Sequence, residues 1–446
     1  MANYLAAIDL GTTKVVSIIG EKNNRGRINV LAYSEAPSAG IRHGQVENIM
    51  NVVGVVKNTL DNIKSISGIS EIADVYVGIA GLHIRYVENR TEISRPEYEK
   101  LITTDEINTL KSNARKLHVN AGEKIIHVVP QTYSIDNVDG ITDPVGRLGH
   151  RLAGNFMIII EKGISTRHTE ICIEHLNLSL KELILEPMAS ARAVLTEDEK
   201  DLGVVMVDMG GGTTDMMIYH KKVIRHTAII PFGGNTITQD IKTGCDITLR
   251  DAEKIKIQYG SCVSSMAPEN HIIAIPGSNG REPREISFKS LANIIEARIV
   301  EIIEMLMYEI KTYTNNPRQL KMGIVFTGGG SQITHLRELV KLKTGMDVKI
   351  GKPLYVSENS PREVVHPRYS TAVGLIMCGF DSEAETVSHN TGKSEIENEN
   401  GNEEKIENEE NVENIKGNID IIEEETPLKS FMKMVKNVLY EQKEKI

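Results

Sequence analysis

The chain has no tryptophan, few aromatic residues and four cysteines among its 446 residues. Aromatic side chains make up 4% of the sequence, so its hydrophobic cores must rely on Ile, Val, Leu and Met. The absence of any C-x-x-C spacing argues against a zinc site or a disulfide framework and favours a reducing compartment. We expect the thiols to be small buried hydrophobic groups. The cysteines are Cys172, Cys245, Cys262 and Cys378.

The sequence also lacks the apolar runs that direct a chain into a membrane. Asp9 interrupts the first apolar run, so no signal peptide is predicted. No run approaches the roughly 20 residues that a helix needs to span a bilayer. We therefore expect a cytoplasmic protein that contacts a membrane from its surface.

Charge is distributed unevenly along the chain. The net charge is −10, yet residues 381–426 carry sixteen Asp or Glu against three Lys, and residues 427–446 carry five Lys against two Glu. Residues 1–380 are therefore neutral and show no basic excess of the kind that indicates nucleic-acid binding. A chain of 446 residues is long enough for two or more domains. The charge pattern adds an acidic linker and a basic tip after them.

The run LGVVMVDMGGGTTD, which ends at Asp215, has the pattern of a phosphate-binding hairpin. Its β-branched residues predict a buried strand with Asp208 at the carboxyl end. Glycines there let the backbone turn and leave N–H groups open to an anion, and the two carboxylates could hold a hydrated Mg²⁺. The P-loop pattern is absent, and a glycine-rich hairpin without a ligand is the alternative. The candidate phosphate contacts are Gly210, Gly211, Gly212, Thr213 and Thr214.

The run YLAAIDLGTTK, residues 4–14, repeats this arrangement near the amino terminus. In both copies the motif is followed by a strand-like run, a turn, another strand-like run and then a helix-like stretch. Two such copies predict a duplicated fold that holds a nucleotide between its halves. The candidate contacts of the first copy are Asp9, Gly11, Thr12, Thr13 and Lys14.

Three further stretches carry features suited to the rest of a nucleotide. PFGGN places two glycines before a helix, although a simple strand turn explains them almost as well. A later helix carries an acidic and a basic residue three apart, which could bracket a ribose or form a surface ion pair. FTGGGS places glycines between a strand and a helix. The candidates are Gly234, Asn235, Glu253, Lys256, Gly328, Gly329, Gly330 and Ser331.

Two predicted helices could have structural or functional roles. The helix over residues 186–195 is rich in small residues, which allows close packing and would also suit a hinge between the halves. A long helix candidate over residues 287–313 has an apolar stripe that should be core, with Arg298, Glu301 and Glu304 on its polar face.

The basic tip, residues 427–446, has the pattern of an amphipathic helix, with Thr426 as its N-cap and Pro427 at its first position. Apolar residues recur at i, i+3 and i+4, with lysines off that stripe, a pattern typical of a helix lying in a membrane interface. Docking into a protein groove is the alternative. The candidate membrane-binding residues are Leu428, Lys429, Phe431, Met432, Lys433, Val435, Lys436, Val438 and Leu439.

The motifs DLGTTK, DMGGGTTD, EKIK and FTGGGS, in this order and at these separations, resemble the phosphate-1, phosphate-2 and adenosine motifs of the actin, hexokinase and heat-shock chaperone superfamily. Within it the chain is similar to the FtsA family of bacterial cell-division proteins. HVVPQTYSID, DPVGRLGHRL and PFGGNTITQDI add to that likeness.

The resemblance implies an α/β fold: a duplicated actin-like (ribonuclease H-like) fold whose two halves surround a nucleotide cleft. Residues 1–83, with 163–195 and about 355–380, would form the first half, and 196–233, with about 320–354, the second. Residues 84–162 would be the inserted 1C subdomain of this family, and 234–319 a second-half insertion. Residues 381–426 would be a disordered acidic linker, and 427–446 the membrane-targeting helix.

The resemblance also implies roles for residues. Asp9 and Asp208 would address Mg²⁺ or its waters, the two hairpins would hold the ATP phosphates, and the remaining candidates would bracket adenosine. Glu186 stands where chaperone relatives place a catalytic carboxylate. Their second catalytic lysine lies in a subdomain for which this sequence shows no counterpart, so slow hydrolysis or binding alone is expected.

The implied function is that of a cell-division cytoskeletal protein at the inner face of the membrane. It would assemble head to tail, bind anionic lipid through its tip, and bind the C-terminal peptide of FtsZ and other division proteins. Arg298, Glu301 and Glu304 are candidates for the FtsZ surface. The alternatives are a pilus-assembly ATPase related to FtsA and a metabolite kinase of the superfamily.

Overall fold

The computed structural model describes residues 4–276 and 282–397, with side chains described up to residue 384. Contacts divide the chain into two compact units, residues 1–388 and 389–446. The first unit contains every sheet described for the chain. Of the second, the structure describes the end of one helix, up to Glu397.

The first half opens with the predicted hairpin and adds a third strand, a small hairpin and a helix. The Asn48 side chain caps this helix by accepting from the Asn51 N–H, and Gly68, with φ 71°, ends it. The elements are β1 (Tyr4–Leu10), β2 (Lys14–Lys22), β3 (Ile28–Pro37), β4 (Ile41–Arg42), β5 (Gln45–Val46), α1 (Ile49–Ser67) and β6 (Asp74–Ile79).

An inserted subdomain follows, with its own four-stranded sheet and its own core. Its helix begins with a capping box, in which Thr103 and Glu106 satisfy each other's backbone N–H groups. Leu110 of this helix packs against Leu152 and Phe156 of the sheet. The elements are β7 (Ile84–Ser94), α2 (Thr104–Arg115), β8 (Glu123–Ile135), β9 (Val138–Ile141) and β10 (Arg151–Lys162), and the strand order is β7-β10-β8-β9.

The chain then completes the first half and builds the second, which repeats the hairpin. Asn177, with φ 55°, turns the chain between the first helix and strand of this stretch. The elements are α3 (Gly163–His175), β11 (Ser179–Leu185), α4 (Glu186–Val194), α5 (Glu197–Leu202), β12 (Val204–Met209), β13 (Thr214–His220) and β14 (Val223–Ile230).

In its described residues, the stretch 234–313 contains three α-helices and a two-stranded sheet, after which the chain returns to the second five-stranded sheet. The apolar stripe of its long helix is core as predicted: Leu291, Ile295, Ile299 and Leu306 are buried. The elements of the insertion and the return are α6 (Gly234–Cys245), α7 (Leu249–Tyr259), β15 (Ile272–Ile275), β16 (Arg284–Ser287), α8 (Phe288–Tyr313), β17 (Ile324–Thr327), α9 (Leu336–Thr344), β18 (Val348–Ile350) and α10 (Ser370–Glu397).

The two halves have the same sheet topology. The first sheet has the order β3-β2-β1-β6-β11 and the second β14-β13-β12-β17-β18. In both, the first three strands are antiparallel and the last two run parallel to the hairpin's first strand. The duplication that the two hairpin motifs predict is therefore present in the fold.

Helices α4 and α10 pack together within one core that includes residues of both sheets. Gly374 of α10 lies so close to the carbonyl of Ala189 in α4 that a Cβ at Gly374 would clash with the α4 backbone. The small residues of α4 thus permit close packing, with Ala189, Ala191 and Ala193 fully buried. Among the largest fully buried side chains, Phe156 and Phe326 are aromatic and the others are Ile, Leu or Met, so the cores rely on aliphatic residues as the composition predicts. All four cysteines are free.

Helix α10 is longer than the sequence predicts. The pattern ends the closing helix near Phe380 and starts the acidic linker at residue 381, whereas α10 continues to Glu397. No glycine or proline interrupts residues 381–391. Asp381 also pairs with Arg192 of α4 at 2.7 Å, which extends the packing of the helix past Phe380. Within the described residues, no helix combines the length and apolar character needed to cross a bilayer.

Candidate nucleotide site

The two glycine hairpins lie in direct contact across the molecule. A Cβ at Gly212 would lie 2.6 Å from the Thr12 hydroxyl, and one at Gly211 would clash with the hydroxyl of Thr13. Asn235 lies at the same place, with its side-chain oxygen 3.5 Å from the Thr13 hydroxyl. The absence of side chains at the two glycines is therefore what lets the hairpins approach, so that both can face one ligand.

The second hairpin is held by the start of helix α6. The N–H groups of Gly234 and Asn235 donate to the carbonyls of Gly210 and Gly211 at 2.9 and 2.8 Å. These two amides thus brace the hairpin instead of pointing into open space. The hydroxyls of Thr213 and Thr214 are also used within the protein, on Asp215 and on the carbonyl of Phe232.

Lys256 joins α7 to the same helix start. Its ammonium group donates to the Gly234 carbonyl at 3.0 Å and to Thr238 and Glu253 at 2.7 Å each. Burial lowers the pKa of Lys256, while the hydrogen bond with Glu253 opposes that change. The Glu253–Lys256 pair predicted to bracket the ribose therefore lies against the start of α6, which in turn bonds to the second hairpin, with Lys256 buried and Glu253 partly exposed.

The third glycine motif lies beside Asp208. Gly328, with φ 83°, leaves no room for a side chain next to the Asp208 carboxylate, whereas a Cβ at Gly329 would meet open space. Ser331 is buried and its hydroxyl donates to the Gly328 carbonyl at 2.8 Å. An open groove of about 520 Å³ starts at Ser331 and continues along α9 and β18. The motif predicted to contact adenosine therefore adjoins both the second hairpin and open space.

Lys14 points to the start of helix α10. Its ammonium group donates to the Arg368 carbonyl at 2.7 Å, lies 3.7 Å from a Glu35 oxygen and lies 4.1 Å from the centre of the Tyr369 ring. Burial lowers the pKa of Lys14 to about 8, although the charge of Asp9 acts in the opposite direction. In this structure the Lys14 ammonium group is therefore held by the segment that precedes α10 and by Glu35.

Four carboxyl groups interact electrostatically around the hairpins. Burial, reinforced by the charge of Asp208, raises the pKa of Asp9 to about 6 and that of Asp215 to about 7. Burial also raises the pKa of Asp208, despite hydrogen bonds from Ser190 and Thr371. The pKa of Glu186 is raised well above its usual value by burial and then by Asp9, Asp215 and Asp208. Such a cluster favours a bound cation.

The residues present fit a hydrated Mg²⁺. Asp215 Oδ1 is buried and has no hydrogen-bond partner, so it offers a free oxygen ligand within the carboxyl cluster. Among the described side chains, those of residues 4–276 and 282–384, no three carboxylate, imidazole or thiol groups converge closely enough to ligate one metal ion by themselves. Mg²⁺ in proteins usually keeps several waters and takes one or two carboxylates together with substrate phosphates.

The structure adds site residues that the sequence patterns did not indicate. Ser190 of α4 and Thr371 of α10 both donate to Asp208 Oδ2, Thr371 at 3.1 Å. Arg368 and Tyr369 contact Lys14, and His43 contacts Gly212. These contacts join residues far apart in sequence, with no motif around them. The sequence signal nearest to them is the run of small residues in the closing helix.

The candidate partner surface is largely engaged within the protein. Arg298 donates to Asp240 of α6 at 2.6 and 3.1 Å, pairs with Glu301, and lies 5.0 Å from the centre of the Phe232 ring. Arg298 therefore ties α8 to α6, and Glu304 remains exposed. The membrane-binding residues predicted between Leu428 and Leu439 lie outside the described residues.

Comparison with known proteins gives the family of the chain. The family model "Cell division protein FtsA" matches residues 205–374, and "SHS2 domain inserted in FTSA" matches residues 81–160. The cell division protein FtsA of Neisseria meningitidis serogroup B is 37% identical over 373 residues, which cover 84% of this chain and 89% of that protein.

Solved structures with low sequence identity share the fold. The PilM–PilN type IV pilus biogenesis complex matches with a TM-score of 0.60 at 14% identity, over 84% of this chain and 98% of that one. MreB 5 of Spiroplasma citri bound to AMPPNP matches with a TM-score of 0.51 at 14% identity, over 88% and 99%. The actin-like fold with its SHS2 insertion, and the identity to curated relatives over most of the chain, place it in one family: the chain belongs to the FtsA family of cell division proteins.

Proposed function

We propose that the chain binds Mg²⁺-ATP between its two hairpins and acts as an actin-like membrane adaptor in cell division. The observation that carries the proposal is the direct approach of Gly211 and Gly212 to Thr13 and Thr12. Two duplicated hairpins that meet in this way present backbone N–H groups and hydroxyls to one anion from opposite sides. The match to a nucleotide-bound MreB supports the same use of the fold.

Different residues of the site would contact the phosphates, the Mg²⁺ and the adenosine of ATP. The amides of the first hairpin, Gly11 to Thr13, and Lys14 would hold the terminal phosphates, with Gly210 to Gly212 opposite. Asp9, Asp208 and Asp215 would hold Mg²⁺ through oxygen or through its waters, and the ion would neutralise phosphate charge. Gly328 to Ser331 would contact adenosine, with Glu253 and Lys256 bracketing the ribose.

Glu186 is the candidate to orient a water for hydrolysis. It begins α4, and a Cβ at Gly78 of β6 would lie 3.2 Å from its Oε1, so Gly78 provides its space. Its raised pKa in the absence of a cation weakens it as a base. We therefore propose weak or absent ATPase activity, with ATP as a ligand that stabilises one arrangement of the halves.

The cellular role that we propose is attachment of the FtsZ ring to the inner face of the cytoplasmic membrane at the division site. Subunits would polymerise head to tail, residues 427–446 would bind anionic lipid, and residues 234–319 would receive the C-terminal peptide of FtsZ, with other division proteins joining. Membership of the FtsA family supports this role. A single helix binds weakly, so attachment would depend on many linked copies. The pilus-assembly alternative rests on likeness of fold alone.

Two measurements on the full chain test the proposal. Equilibrium titration with Mg²⁺-ATP should show saturable binding, and a chain without detectable binding at millimolar ATP would contradict the nucleotide site. Co-sedimentation with anionic liposomes should pellet the full chain with ATP. A chain ending at Thr426 should stay in the supernatant, and equal pelleting of both would contradict the membrane role of the tip.

A further inference from the structure

The small hairpin β4–β5 contacts both phosphate hairpins at once. In the turn between its strands, the Nδ1–H of His43 donates to the Gly212 carbonyl and the N–H of Gly44 donates to the Thr12 hydroxyl, each at 3.1 Å. These two consecutive residues therefore touch the second hairpin and the first. A change in the separation of the phosphate hairpins must alter at least one of these bonds.

The turn is fixed from behind by the end of β6. His43 and Gly44 have φ of 47° and 75°, and a Cβ at Gly44 would lie 2.9 Å from the carbonyl of Ala80. A Cβ at Gly81 would lie 2.8 Å from the His43 carbonyl and 2.7 Å from the His83 ring. Backbone packing of this density leaves the turn little freedom to move alone.

A chain of side-chain contacts continues from the small hairpin to the inserted subdomain. The Gln45 amide donates to Nδ1 of His83, and Nε2 of the same ring lies 3.0 Å from Oε1 of Glu161. His83 precedes β7, the strand that enters the inserted subdomain, and Glu161 is in β10, the strand that leaves it. Both side chains are buried, with relative exposures of 9% and 1%. The His83–Glu161 pair thus joins the two crossings between the first half and the inserted subdomain.

We infer that residues 41–46, with His83 and Glu161, form a strut that couples the separation of the phosphate hairpins to the inserted subdomain. The inference deepens the proposed nucleotide site, because a ligand that fixes both hairpins fixes His43 and Gly44 as well. A bound ligand and the inserted subdomain then influence each other reciprocally. Gln45, His83 and Glu161 act as positioning residues that make no contact with the ligand.

Hydrogen exchange of the full chain tests the strut. With saturating Mg²⁺-ATP, amides of β7 and β10 should exchange at least about threefold more slowly than without it. Gln45→Ala and Glu161→Leu should lose most of that protection while their dissociation constants for Mg²⁺-ATP stay within about threefold of the natural chain. Glu161→Gln keeps a side-chain oxygen of the same reach beside His83 and should retain the protection. Arg42→Ala, an exposed residue of the same hairpin, is the control.

An arm without nucleotide separates failure of the strut from failure of the proposed function. In the nucleotide-free chain, Gln45→Ala and Glu161→Leu should speed exchange in the two phosphate hairpins by about threefold or more, and Arg42→Ala should not. If Mg²⁺-ATP does not bind but this result holds, the nucleotide proposal fails and the strut stands. If Mg²⁺-ATP binds and neither variant changes exchange in either arm, the strut is wrong.

Discussion

The Tyr86 hydroxyl donates a hydrogen bond of 2.8 Å to Nδ1 of His226. The same imidazole donates from Nε2 to Glu309 at 2.8 Å. Tyr86 is in β7 of the inserted subdomain, His226 in β14 of the second half and Glu309 in α8. One buried histidine therefore connects three parts of the chain, and its contacts require them to keep a fixed arrangement.

Tyr86→Phe should destabilise the chain by about 1–2 kcal/mol, because it leaves His226 Nδ1 without a donor in a buried position. The ring itself is kept, so packing against the imidazole at 5.8 Å should persist. Urea denaturation measures the change in free energy of unfolding. Tyr259→Phe, at an exposed tyrosine, is the matched control. Equal midpoints for the two variants would contradict a stabilising role for the Tyr86–His226 bond.

Gly211→Ala should weaken Mg²⁺-ATP binding by about tenfold or more, equivalent to about 1.4 kcal/mol. The added methyl would clash with the Thr13 hydroxyl, so the two hairpins would have to move apart. Gly54→Ala adds the same methyl to an exposed position of α1 with nothing within 4 Å, and should leave the affinity unchanged. Calorimetric titration measures both. Full affinity in Gly211→Ala would show that close approach of the hairpins is not required.

Much of the fold could be predicted from the sequence because its signals are local. Glycines after Asp9 and Asp208, each following an apolar run, mark the two hairpins, and their repetition predicts the duplicated sheets. The FtsA likeness, carried by motifs within short runs, is confirmed by the relatives. The sequence does not predict how far α10 packs past Phe380, because the Arg192–Asp381 pair there joins residues 189 positions apart.

The candidate site is less predictable than the fold, because many of its contacts join residues far apart in the sequence. Gly234 and Asn235 follow the pattern of an anion-binding helix start, yet their amides serve the second hairpin. Arg298 has the pattern of a surface residue, yet it pairs with Asp240 of another helix. The contacts of His43 and Thr371 have no local pattern, because they depend on how distant segments meet. Sequence periodicity shows which face of an element is polar but not which partner covers it.

Lys256→Met should destabilise the chain by about 1–3 kcal/mol and weaken Mg²⁺-ATP binding. The substitution removes the donor shared by the Gly234 carbonyl, Thr238 and Glu253. The single Thr238 O–H proton, which lies within reach of both the Gly234 carbonyl and Glu253, can then serve only one of these two acceptors. The effect should stay below that of a fully buried ion pair, because Glu253 is 38% exposed and partly solvated. Lys254→Met, at an exposed position of the same helix, should change stability by less than about 0.5 kcal/mol. Equal stability of the two variants would contradict the bracing role of Lys256.

His127 should make the chain less stable as the pH falls below 6.5. Burial, with Arg115 and Lys111 nearby, lowers the pKa of His127 to about 4 from its ordinary 6.5. Its Nε2 accepts from the Leu185 N–H at 3.1 Å, immediately before Glu186, and protonation would remove that acceptor. Between pH 6.5 and 4 the unfolded chain binds the proton and the folded chain does not. The stabilising contribution is therefore complete above pH 6.5 and is lost by up to about 1.4 kcal/mol per pH unit on acidification.

His127→Gln isolates this contribution, because glutamine keeps an acceptor for the Leu185 N–H and does not titrate. Buried carboxyl groups such as Asp9 and Asp215 have raised pKa values and stabilise the folded chain on acidification. The quantity to compare between chains is therefore the change in urea midpoint from pH 7.5 to pH 5.5. Urea midpoints at pH 7.5 and 5.5 should fall less for His127→Gln than for the natural chain. His118→Gln, at an exposed histidine, should follow the natural chain. If the urea midpoints of the natural chain, His127→Gln and His118→Gln change equally with pH, a neutral His127 does not stabilise the contact between β8 and the start of α4.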